Sequence, residues 1–105
     1  MSKPLISNPK RQSEASRFHA RVFALYGGPR KICELCKKPG ATDAAHVVSR
    51  TALGPHRYAD PGLARPAHRE CHERQTRHEI HFDIRTQRAA IKVANLFCKV
   101  KIVMP

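Results

Sequence analysis

The sequence predicts a small α+β domain stabilised by zinc, with helices on either side of a short β-hairpin. Three observations carry that prediction. Cys33-Glu-Leu-Cys36 and His68-Arg-Glu-Cys71 are two ligand pairs, each with a two-residue gap, set far apart in the chain. Between them lie two short apolar stretches, residues 44–48 and 63–67, separated by a segment punctuated with Gly and Pro. Outside them lie two stretches whose apolar residues recur at helical spacing.

The length of 105 residues leaves room for one domain, residues 1–105. It divides into a basic arm and helix (1–31), a zinc knuckle with the hairpin and a helix (32–80), and a C-terminal helix (83–105). A core this small is marginal, so a metal staple makes energetic sense. Residues 1–7 read as a loose arm. Asn8-Pro9 is a good helix start, because Asn caps free amides and Pro suits the first helical position. Ala15, Phe18, Val22, Leu25 and Tyr26 then share a face, and Gly27-Gly28-Pro29 ends the helix. Ala44–Val48 reads as a strand ending at or just past His46. Residues 51–62 read as an irregular loop. Leu63–Ala67 reads as an edge strand, since Pro66 cannot donate to a ladder. Residues 68–80 are polar and helical in character. Asp83 caps a last helix whose apolar face is Ala90, Ile91, Ala94, Leu96, Phe97 and Val100.

The net charge of +12 is unevenly placed. Residues 1–31 hold seven Lys/Arg against one Glu, and residues 85–105 hold five with no acid. The middle of the chain is nearly balanced, yet it contains six of the seven histidines. An isoelectric point near 10.3 points to a polyanion partner, bound through counterion release rather than by reading sequence. An anionic membrane surface is the lesser alternative. No apolar run is long enough to span a bilayer, and residues 1–10 lack the apolar core of a signal peptide. The expected setting is therefore a reducing cytoplasm, where the cysteines serve as thiolates rather than disulfides.

Two residues between ligands let both side chains grip one ion, and a second such pair completes a tetrahedron. Cys33, Cys36, His68 and Cys71 are the expected structural zinc ligands, with His72 an alternative to His68 in a Cys-Cys-Cys-His set. Cys98 reads as a small core residue.

Strand, loop, strand and helix, with His46 on the first strand and His68-Arg-Glu-Cys71-His72 opening the helix, resemble the HNH (ββα-metal) endonucleases over roughly residues 33–76. The run from His46 to Ala52 is also similar to phage recombination-associated members of that lineage. The resemblance implies that His46 is the general base and His72 the ligand of a second, catalytic divalent cation (Mg, Mn, Ni or Zn). It implies double-stranded DNA as substrate, with no membrane or small-molecule partner. Arg50, Arg57 and Arg65 flank the implied pocket as phosphate clamps, and Arg17 and Arg21 are further backbone contacts. The chain departs from the family pattern at two places. Ala45 stands where the family has Asp or another ligand, and Leu63, beside Gly62, stands where it has Asn. Asp60, Asp43 and His56 are near enough in sequence to substitute, with Asp60 nearest the missing Asn. The expected activity is metal-dependent hydrolysis of phosphodiester bonds. The alternative is a catalytically degenerate, zinc-stabilised nucleic-acid-binding module serving phage recombination or packaging.

Overall fold

The computed structural model describes residues 13–98 and 100–105. The expected arm and the Asn8-Pro9 helix start fall outside those residues. Helix α1 spans Glu14–Val22, with Ser13 as its cap: the Ser13 hydroxyl oxygen accepts from the Ser16 amide. Phe18 and Val22 are buried, as the stripe requires. Leu25 is not, and is 63% exposed. The cause is a π-helical turn at Phe23–Gly27, which shifts the angular register and turns Phe23 inward in place of Leu25. Gly28, at φ +65°, then lets the chain leave the helix.

Strand β1 (Asp43–His46) pairs antiparallel with β2 (Ala64–Ala67), with Ala45 opposite Arg65 and His46 opposite Ala64. Among the described residues this is a two-stranded sheet, so Pro66 sits on an edge as expected. Side-chain alternation sends Ala45 and Ala67 towards one apolar cluster, with Cys33, Ala41 and Phe82. Ala44 and Ala64 pack instead with the larger cluster around Phe18, Leu53, Leu63 and Ile91.

The segment expected to be irregular contains helical turns: α2 (Arg50–Leu53) and two 3-10 turns, Gly54–His56 and Pro61–Leu63. Ser49 caps α2, accepting from the Thr51 amide, and buried Leu53 pins it to the core. Helix α3 (Arg69–Thr76) is shorter than the polar stretch suggested. His78, in the left-handed region at φ +63°, closes it with amide bonds from His78 to the Gln75 carbonyl and from Glu79 to the Arg74 carbonyl.

Helix α4 (Ile84–Phe97) begins at Asp83, whose carboxylate accepts from the Thr86 amide. Ala90, Ile91, Ala94 and Cys98 are buried, whereas Leu96 and Phe97 are exposed, because those two lie off the face that the buried four share at helical spacing. Gly62 permits the close approach of Pro61–Leu63 to this helix: a methyl there would lie 2.8 Å from Val93 Cγ2. No helix among the described residues is long and apolar enough to cross a membrane.

Candidate metal centre and histidine cleft

The turn after Ile32 is built to present sulfur. The Cys33 amide donates to the Lys38 carbonyl and the Lys37 amide to the Cys33 carbonyl, each at 2.8 Å, with Lys37 in the left-handed region. The Glu34 amide donates to the Pro66 carbonyl at 2.9 Å, which fastens the turn to β2. His68, at the cap of α3, and Cys71, one turn on, come down over it. One donor atom from each of Cys33, Cys36, His68 and Cys71 lies within 4.8 Å of the others. His68 is the fourth member, and its tautomer follows from its partners. Nε2 donates to the Pro39 carbonyl at 2.8 Å, leaving the Nδ1 lone pair beside Cys36 Sγ at 3.1 Å.

The protonation of the thiols fits a cation. Burial acts to raise Cys33, but amides donated by Cys36 and His68 outweigh it and bring the thiol down to about 7. Cys71 is pushed up to about 12 by burial and by the neighbouring sulfurs of Cys36 and Cys33. A positive ion among these sulfurs would draw off the proton that Cys71 otherwise keeps. Three thiolates and an imidazole are a donor set zinc takes in tetrahedral structural sites.

His72 takes no part in this cluster. It lines a cleft of about 860 Å³ formed by α1, β1, α2 and α3, together with His46, Asp43, Arg50 and Arg69. His72 Nδ1 donates to Asp43 Oδ2 at 3.0 Å, so Nε2 keeps its lone pair. Asp43 Oδ1 accepts from the Thr42 hydroxyl at 3.2 Å and lies 3.6 Å from the Arg69 guanidinium. Burial acts to raise the Asp43 carboxyl, and these donors, His72 foremost, hold it below its usual range.

His46 is fixed in the same way. Its Nε2 donates to the Arg57 carbonyl at 2.7 Å, which makes Nδ1 the basic nitrogen. The ring stacks on Phe18 with centroids 5.0 Å apart and planes 11° from parallel. Burial lowers its pKa from 6.5; the Arg57 carbonyl opposes this, while Arg50, His72 and the Arg57 guanidinium reinforce it.

Other expected site residues are placed elsewhere. Asp60 does not line the cleft: its carboxylate accepts from the Gly62 amide at 2.8 Å and caps the turn Pro61–Leu63. Asp43, the other acid considered, is the one brought to His72. Arg65 is not a clamp at the pocket mouth. It is 6% exposed, its Nη1 donates to the Gly62 and Ala64 carbonyls, and its guanidinium lies 4.0 Å over the Tyr26 ring. Arg57 is exposed but contributes its carbonyl to His46, while its guanidinium bonds the Gly54 carbonyl and lies over Tyr58. Arg50 reaches the cleft, and Arg17 and Arg21 lie on the exposed side of α1.

No family model, curated protein or solved structure matches this chain. The site therefore stands on its own geometry. That geometry also includes two residues the sequence did not single out. His19 Nε2 donates to the Thr42 carbonyl at 2.7 Å and holds the strand segment carrying Asp43. Arg69, directly after His68, reaches Asp43 at 3.6 Å. The position of Arg69, between two expected ligands in a helix-opening motif, was the available signal. For His19 there was none, since its partner is a backbone carbonyl twenty-three residues away.

Proposed function

We propose that this protein is a zinc-stabilised, metal-dependent endonuclease of the HNH type, hydrolysing phosphodiester bonds in double-stranded DNA. The observation that carries it is one cleft lined by both His46 and the Asp43–His72 pair. His46 Nδ1 would take the proton of an attacking water. The Arg57 carbonyl and the Phe18 ring hold the imidazole in place, and its lowered pKa keeps it neutral at pH 7. Asp43 orients His72 so that Nε2 is free to hold a divalent ion, the arrangement by which carboxylates commonly support metal-bound histidines. Such an ion would stabilise charge on the phosphate. A nitrogen-bearing site with one nearby carboxylate suits Mn, Ni or Zn better than Mg. Arg50 and Arg69, exposed at the cleft wall, would bind the flanking phosphates.

A second reading is a non-catalytic DNA-binding module. Ala45 and Leu63, the positions at which the resemblance leads one to expect an acid and an Asn, are both 0% exposed and face the core. A plasmid-nicking assay with Mg, Mn, Ni, Zn or no added metal separates the two. The endonuclease reading expects metal-dependent nicking that falls on the order of 10²–10⁴-fold in His46→Ala. DNA binding with no nicking under any metal would overturn it in favour of the module.

A further inference from the structure

A second cationic surface lies outside the cleft, on α4 and the segment that follows it. Arg85, Arg88 and Lys92 recur at three and four residues, which stacks them along one exposed side of the helix. The core-facing side is occupied by Ala90, Ile91 and Ala94. None of the three cations has an ion-pair or hydrogen-bond partner among the described residues, and no acid follows Asp83 in the chain. Unbalanced like charges one helical turn apart repel one another, so this arrangement is unfavourable for the isolated protein.

The chain after α4 is folded back against the helix. Asn95 Nδ2 donates to the Ile102 carbonyl at 3.1 Å and the Ile102 amide donates to Asn95 Oδ1 at 2.9 Å. Val100 and Ile102 pack on the core while Lys101 between them is exposed, and Met104 and Pro105 reach the groove beside Arg85, Arg88 and Lys92. The cations thus stand on a braced scaffold rather than on a loose tail. This surface shares no lining residue with the cleft.

We infer that Arg85, Arg88 and Lys92 form a second docking surface for the phosphate backbone of duplex nucleic acid. The inference rests on the DNA-directed reading above and adds a contact that the cleft does not supply. A rise of about 1.5 Å per residue spreads the three helical cations over roughly 10 Å, a span that meets several phosphates of a duplex. Charge complementarity favours nucleic acid over lipid. Of the exposed large apolar side chains here, Ile84 precedes the cations, Leu96, Phe97 and Val103 follow them in the chain, and Met104 lies beside them; none stands between Arg85 and Lys92 along the helix, where a membrane-surface helix needs them.

The test measures binding of a 30-base-pair duplex against salt concentration. It compares the wild-type chain, the triple variant Arg85→Gln, Arg88→Gln, Lys92→Gln, and the cleft variant His46→Ala. Unchanged circular dichroism and zinc content show that each variant is folded. The triple variant should flatten the slope of log affinity against log salt by about 2 to 3, because each lost phosphate contact removes about 0.9. His46→Ala should leave that slope unchanged. A wild-type slope in the triple variant overturns the surface, even if plasmid nicking persists. A flattened slope in a protein whose wild type fails to nick under any of the metals leaves the surface standing and removes the nuclease. Tighter binding to vesicles with 30% phosphatidylserine than to the duplex would reassign the surface to membranes and overturn the inference.

Discussion

If Cys33, Cys36, His68 and Cys71 hold zinc, as their geometry allows, removing it should collapse the part of the fold that holds the cleft together. The apolar cluster around the four ligands contains the side chains of Ala41, Ala45, Ala67 and Phe82 besides Cys33. Three methyl groups at about 0.8 kcal/mol each and one phenyl at about 1.5–3 kcal/mol contribute roughly 4–5 kcal/mol. Zinc held by thiolates and imidazole contributes roughly 10–16 kcal/mol at neutral pH. Such a metal would outweigh its own apolar surroundings about threefold, and would rival the roughly 5–15 kcal/mol net stability of a typical domain. Without it, Cys71, whose thiol stands at about 12, keeps its proton, and the turn at 33–40 loses the tie through its sulfurs, keeping its backbone bonds and the Pro39–His68 contact. A strong chelator should erase the dispersed amide signals of residues 30–41 and 68–76. It should also lower the melting temperature by more than about 20 °C, since a loss of only 5 kcal/mol in a domain this size moves it that far. Added zinc should restore both, and Cys71→Ser should mimic the chelated state. An unchanged melting curve in protein shown by elemental analysis to be metal-free would refute the reasoning.

Two further outcomes follow from the cleft and the core. Under the endonuclease reading His46 would act as a base only when neutral; its pKa lies below 6.5, so nicking should hold steady at neutral pH and fall only as pH drops below 6.5. The same shift means that the folded state favours the neutral ring: its contribution to stability is present above pH 6.5 and lost as pH falls through the folded value. An acidic limb centred above 6.5 in the pH–rate profile would exclude His46 as the base. Arg65→Met should cost about 2 kcal/mol or more in chemical denaturation, because the Gly62 and Ala64 carbonyls lose a charged donor. It should leave the salt dependence of DNA binding untouched; a flatter slope at unchanged stability would mean that this guanidinium contacts phosphate after all.

The features legible in the sequence were those whose cause is local. A two-residue gap between ligands puts Cys33 and Cys36 in one turn whatever surrounds it, and likewise His68 and Cys71. Asp83 caps α4 through an amide three residues away, and the strand around His46 follows from the apolar run it sits in. The helix from Phe18 to Val22 followed from its periodicity, but its continuation to Leu25 did not. A π-turn changes the angular register without leaving a mark that apolar spacing can register.

Pairings across the fold were settled elsewhere. His68 and His72 lie on the same short helical stretch, and by spacing alone either fits beside Cys71. The Pro39 carbonyl captures one ring and the Asp43 carboxylate the other. Asp60 is nearer in sequence to the missing Asn, yet antiparallel pairing of β1 with β2 carries Asp43 to α3 while Asp60 turns back to cap its own loop. Arg65 looked like a surface cation until strand register set it opposite buried Ala45 and under Tyr26. Ligand type and spacing, end caps and net charge are written residue by residue, because each depends on neighbours within a turn or two. Which imidazole meets the sulfurs, which carboxylate meets the other imidazole, and which arginine stays inside depend on chain segments that only packing brings within 3 to 4 Å.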